Sequence, residues 1–141
     1  MKKAAPLLAT CALLLSLSSA AQYGTPNCKD SCTVTVNLAA GCGSGIRVAP
    51  DPITVPRSNT TTITWNIVPA DPNGWKFHES KGILIQGLDS YAKGRFKPNA
   101  SGNPHSFVIE HQNKGPAAFK YDVNLVKGTE TCTLDPIILD W

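Results

Sequence analysis

The sequence predicts an all-β fold, a Greek-key β-sandwich, from three observations. Residues 60–68, Thr60-Thr61-Thr62-Ile63-Thr64-Trp65-Asn66-Ile67-Val68, alternate strictly. Ile63, Trp65 and Ile67 share one face of an extended chain, and Thr62, Thr64 and Asn66 the other, written in β-branched and aromatic residues. An inward Trp on a central strand implies a second layer packed against the sheet. Eleven glycines and eleven prolines punctuate the chain, and alternating runs recur roughly every 8–15 residues, the rhythm of sandwich strands. No segment holds a helical period for three turns.

The first 21 residues read as an export signal of bacterial type. Lys2 and Lys3 precede the apolar run Leu7–Leu17, and Ser18-Ser19-Ala20-Ala21 supplies small residues for cleavage after Ala20 or Ala21. A membrane anchor needs about 20 apolar residues and a better span than this. Leu8-Ala9-Thr10-Cys11 is only loosely a lipobox, since Thr precedes the Cys and most of the apolar run follows it. Residues 22–141 are therefore expected as one exported domain, without membrane insertion after cleavage.

Tyr23–Asp30 reads as an irregular lead. Val34, Val36 and Leu38 then alternate with Thr33, Thr35 and Asn37 in a strand over Cys32–Leu38. Gly41-Cys42-Gly43-Ser44-Gly45 is a turn. Short strands at Ile46–Ala49 and Ile53–Val55 flank Pro50-Asp51-Pro52, prolines that predict an edge or a crossing between layers. The Trp-bearing strand ends at the turn Pro69–Gly74. Two short strands, Trp75–Phe77 and Ile83–Gln86, lie around Gly82. Residues 87–97 read as loop with one strand at Gly94–Lys97, and Pro98–Pro104 as a polar loop. A strand over His105–His111 and the turn Asn113-Lys114-Gly115-Pro116 lead to one with Phe119, Tyr121, Val123 and Leu125 on one face. A turn at Lys127–Glu130 leads into the last strand, Cys132–Leu139. Ile137, Leu139 and Trp141 alternate, but the strands are too short for a transmembrane barrel, so Trp141 is expected on the sandwich or its rim.

Charge excludes one class of partner. Loss of Lys2 and Lys3 lowers the thirteen basic side chains to eleven, against ten acidic, a balance without the footprint of a nucleic-acid binder. Lys93, Arg95 and Lys97 read as the solvated face of a strand or loop. Export also implies an oxidising compartment. The mature chain keeps Cys28, Cys32, Cys42 and Cys132, an even number that predicts two disulfides among three connectivities. Zinc is the alternative for Cys28-x3-Cys32, although no His lies nearby in the sequence.

No catalytic constellation is expected. A disulfide would consume the thiol in the Gly41–Gly45 loop, and no strand-turn-helix elbow presents a Ser. Three Glu and seven Asp are present, with Asp71, Asp89 and Asp135 in turn contexts, and no nucleophile, base and orienter can be named together. His78, His105 and His111 are the metal candidates. His105 and His111 share a strand face about 20 Å apart, leaving His78, beside Glu79, to join either one. Trp75, Phe77, Tyr91 and Phe96, set among the least regular segments, are the candidate ligand-binding aromatics, with core packing as their alternative role.

The segment order resembles a cupredoxin-like domain over residues 46–141. Ile63-Thr64-Trp65-Asn66 resembles the family's V-T-W-x-N strand, and Phe119-Lys120-Tyr121-Asp122-Val123 leads through a Gly turn to Cys132. The resemblance implies a Greek-key sandwich; an immunoglobulin-like sandwich is the alternative. It does not carry over the family's type 1 copper centre. Pro69-Ala70-Asp71-Pro72 stands where the first His is expected, and Thr133-Leu134-Asp135-Pro136 follows Cys132 without His or Met. The function expected is non-enzymatic binding of a protein or glycan in the periplasm or outside the cell, with no cofactor. Copper or other metal handling at a different site, and inhibition of a hydrolase, are the alternatives. The sequence leaves the ligand and the oligomeric state open.

Overall fold

The computed structural model describes residues 27–38, 42, 46–57, 60–69, 73–86, 94–99 and 102–141. The expected export signal lies outside these residues. The described chain is all-β, with β1 (Ser31–Asn37), β2 (Arg47–Ala49), β3 (Ile53–Val55), β4 (Thr60–Val68), β5 (Lys76–Phe77) and β6 (Ile83–Ile85). β7 (Phe96–Asn99), β8 (Ser106–Gln112), β9 (Ala117–Lys127), β10 (Glu130–Leu134) and β11 (Ile137–Asp140) complete it.

Two mixed sheets form a β-sandwich. The first runs β2-β1-β4-β8-β7, with β1 and β4 parallel. The second is built on β9, which carries β10 and β11 on one side and β5 and β6 on the other, with β3 parallel to β11. Pro50-Asp51-Pro52 is the crossing between layers: β2 pairs in the first sheet and β3 in the second.

The alternation of β4 does the work expected of it. Ile63, Trp65 and Ile67 are buried, while Thr62, Thr64 and Asn66 face outward. Trp65 reaches across the layers to Tyr121, its indole edge-on at 5.5 Å between ring centroids and its Nε1–H donating to the Tyr121 hydroxyl at 3.3 Å. Val34, Val36 and Ile109 from the first sheet meet Ile53, Val55, Val123, Leu125 and Ile138 from the second in the same core.

The expected last strand, Cys132–Leu139, is divided at Asp135-Pro136. β10 and β11 nevertheless keep one register along β9, with Leu134 opposite Val123 and Ile137 opposite Lys120. Between them the Tyr121 N–H donates to the Pro136 carbonyl at 3.0 Å, so the ladder continues where proline offers no donor. The strand expected at Gly94–Lys97 is displaced to Phe96–Asn99, taking in Pro98, which the sequence places in a loop. Proline is accommodated there because β7 is an edge strand.

The other edges are blunted too. β2 has three residues, the β5–β6 edge is interrupted by residues 78–82, and Asn27 and Cys28 hydrogen-bond along β3 through Thr54. Short, interrupted or covered edges resist pairing with another chain. Of the three connectivities, the disulfides are Cys28–Cys32 and Cys42–Cys132. The second spans 90 residues and ties the connection after β1 to β10 of the opposite sheet.

Candidate functional site

The deepest polar feature joins the two layers. Asp140 on β11 points inward, and its carboxylate accepts from His111 Nε2 at 2.7 Å and from Arg95 Nη1 at 3.0 Å. None of the three side chains exceeds 1% exposure. His111 comes from β8 and Arg95 from the residue before β7, so the cluster crosses between sheets. Phe96, opposite His111 in the β7–β8 ladder, stacks on the imidazole at 4.2 Å with planes 14° apart. Phe119 meets both rings edge-on, and the Arg95 guanidinium lies 5.6 Å over the Phe119 ring.

A carboxylate only accepts, so His111 Nε2 must carry the proton in this contact. Its Nδ1 is buried without a hydrogen-bond partner among the described residues. A His–Asp pair orients an imidazole for proton transfer when substrate can reach the free nitrogen. Here the ring is sealed beneath Phe96, and the arrangement acts as a charged cross-link between the layers. Sequence alternation misses it. Arg95, expected on a solvated face with Lys93 and Lys97, is instead buried because its guanidinium meets Asp140. The one signal for Asp140 is a carboxylate embedded in the apolar run Ile137–Trp141.

The expected site residues are not brought together. His78 is half-buried after β5, with its Nδ1 accepting from the Ser80 N–H at 3.3 Å. His105 is half-buried just before β8, and its backbone N–H donates to Asn103 Oδ1 at 2.9 Å. His111 is committed to Asp140. No group of three His, Cys, Asp or Glu side chains suited to a metal occurs among the described residues. The type 1 copper chemistry of cupredoxins does not fit the residues present, because Cys132 is disulfide-bonded and offers no thiolate.

Trp75 and Phe77, candidate ligand-binding aromatics, are 6% and 4% exposed and pack in the core. Pairing of β5 to β9 turns Phe77 inward against Phe107, at 6.0 Å between centroids. Phe96 caps His111, and Tyr91 lies outside the described residues. Trp75 and Phe77 therefore offer almost no surface to a partner. Burial also pushes the Tyr121 hydroxyl well above its ordinary range; the Trp65 hydrogen bond offsets part of this and nearby Asp51 adds to it.

The two outer faces differ in kind. On the second sheet, Gln86 Nε2 donates to both Asp122 and Asp135, and Lys120 Nζ pairs with Asp135 at 2.9 Å. Thr133 donates to Asn124 beside them. That face satisfies much of its own polarity. On the first sheet, the central parallel strands β1 and β4 turn Ser31, Thr33, Thr35 and Asn37 and Thr60, Thr62, Thr64 and Asn66 outward. In-register pairing sets Ser31 beside Thr62, Thr33 beside Thr64 and Thr35 beside Asn66. Thr33, Thr35, Thr62, Thr64 and Asn66 make no side-chain hydrogen bond among the described residues. The charged residues of this face stand on flanking strands: Arg47 on β2, Glu110 on β8 and Lys97 on β7.

No known protein family matches the chain, and no curated protein matches it significantly.

Proposed function

We propose that the chain is an exported, non-enzymatic binding protein, with residues 1–21 as a cleaved signal and residues 22–141 as a cupredoxin-like Greek-key domain lacking the type 1 copper site. The two disulfides fit an oxidising periplasmic or extracellular setting. The layer crossing at Pro50–Pro52 and the parallel pairs β1–β4 and β3–β11 support this outline over an immunoglobulin-like sandwich, whose sheets are antiparallel.

One observation carries the binding reading. The outward rows of β1 and β4 offer an uncharged set of hydroxyl and amide groups, of which those of Thr33, Thr35, Thr62, Thr64 and Asn66 make no hydrogen bond among the described residues, on strands held between paired neighbours. Polar groups fixed on a rigid element and left for an external partner are what a recognition surface requires. Co-sedimentation with envelope and extracellular-matrix fractions tests the reading. The oxidised protein is expected to pellet with at least one fraction; a protein that stays in the supernatant with all of them refutes it. Native mass spectrometry after copper or zinc and desalting tests the metal alternative. A surviving stoichiometric adduct would replace the present reading with metal handling.

A further inference from the structure

We infer that the outward face of β1 and β4 binds a neutral polysaccharide chain laid along the strands. The inference rests on the binding reading above and names its ligand class. No Lys, Arg, Asp or Glu faces outward on β1 or β4, and the flanking Arg47, beside Asn37, and Glu110, beside Thr62, are opposite in sign, so a charged polymer would meet no field of one sign there. Val68, at the end of β4, is the only large apolar side chain on these rows, so an apolar partner would find little anchor. What the rows do offer is hydroxyl groups, each both donor and acceptor. Sugar hydroxyls have the same dual character and can pair with them in either direction.

Geometry favours one chain over an extended plane. Outward residues on a strand recur about every 6.6 Å and neighbouring strands lie about 4.8 Å apart, so the two rows form a ladder roughly 20 Å long. Adjacent strands rotate by about 20–25°. A flat lattice such as ice loses register beyond two rows, whereas a flexible polymer follows the twist. The β-branched threonines hold few rotamers before binding, which limits the side-chain entropy lost. Without an aromatic platform, affinity must come from repeated hydrogen bonds along the polymer.

The test is depletion of the oxidised protein by suspended chitin, cellulose, starch granules and β-1,3-glucan. The wild type is expected to be depleted by at least one of these, with little change from low to about 1 M salt. Thr33→Lys/Thr64→Lys, which places two ammonium groups at one cross-strand pair, is expected to bind at least about tenfold more weakly because those charges are desolvated without partners. Its unfolding midpoint is the control for folding, and Lys120→Ala on the opposite face is expected to bind like wild type. The inference is overturned by no depletion across the panel, equal binding of the double variant, salt-sensitive binding to anionic polymers alone, or adsorption to ice alone. Envelope co-sedimentation without polysaccharide depletion would leave the binding reading standing and remove this one.

Discussion

Asp140→Asn is expected to destabilise the fold by about 3–5 kcal/mol. The aspartate oxygens accept one bond each from His111 and Arg95. Asparagine keeps one acceptor and turns an NH2 group toward the other donor, while removing the negative charge. Arg95, 1% exposed and also donating to the Gly115 carbonyl at 3.4 Å, then loses the Asp140 carboxylate. Loss of one partner from a buried ion pair costs about 3–5 kcal/mol, a large part of the roughly 5–15 kcal/mol that holds a small domain together. At about 4 °C per kcal/mol for a domain of this size, the melting midpoint falls by about 12–20 °C. Urea and thermal unfolding, followed by tryptophan fluorescence because Trp65 is buried, read both quantities. Arg95→Met/Asp140→Asn removes both charges and is expected to be at least about 1 kcal/mol more stable than the sum of its single variants implies. A cost below about 1 kcal/mol for Asp140→Asn, or additivity of the pair, would refute the account of the cluster as coupled buried charges.

Gly82→Ala would place a Cβ 2.7 Å from Phe107 Cδ2, 2.9 Å from Phe77 Cβ and 3.0 Å from the His78 carbonyl. Overpacking at the base of this loop is expected to cost about 1–3 kcal/mol in urea unfolding; an unchanged midpoint would show that the site gives way freely. Removing the Cys42–Cys132 bridge by double Ser substitution is expected to cost about 4–5 kcal/mol, against about 2 kcal/mol for Cys28–Cys32, because the first closes a far longer loop. The reverse ranking by denaturation would exclude loop entropy as the main effect. Tyr121, held protonated by burial, gives a pH dependence of known sign. Above about pH 10 the unfolded chain releases this proton while the folded chain keeps it. The contribution is intact below that pH, and stability falls above it by up to about 1.4 kcal/mol per pH unit. Tyr121→Phe is expected to flatten the fall in urea midpoint between about pH 9 and about pH 11; equal slopes in both proteins would reject the assignment.

Strands that carry strict alternation were legible from sequence. The bounds expected for β3 and β4 are those observed, and β1 differs by one residue at each end. One face buried and one face wet is a strong signal, and it places the Thr–Asn rows outward by the same logic that places Trp65 inward. The recognition role proposed for them is not legible, because polar residues on an exposed strand face are also the ordinary case. The in-register parallel pairing of β1 with β4, between residues 31 apart in sequence, is what turns two polar rows into one ladder. Trp75 and Phe77, expected among loop aromatics, are buried for a related reason. Their neighbourhood is rich in turn formers, but pairing of β5 to β9 decides which way the ring of Phe77 faces.

β11 shows why local patterning reaches a limit. In Ile137-Ile138-Leu139-Asp140-Trp141, alternation suggests Ile137, Leu139 and Trp141 as the apolar face, against Ile138 and Asp140 on the other. The structure buries Ile138 and Asp140 and turns Ile137 and Leu139 outward. A slip of one residue would exchange these faces, and the aliphatic positions would gain one buried side chain, Ile137 and Leu139 replacing Ile138. The charges oppose it, because the slipped register would leave Arg95 and His111 facing an apolar side chain. Taking the carboxylate away from that guanidinium carries the same penalty of about 3–5 kcal/mol, against about 1.5–3 kcal/mol recovered by burying one extra aliphatic side chain. The partners that decide the register of β11 therefore lie 29 and 45 residues away. At the other end of the same hairpin, the Cys42–Cys132 bridge holds β10, and the Tyr121–Pro136 hydrogen bond carries its register across the proline break. Covalent and ionic constraints thus specify a register that hydrophobic burial alone would not select.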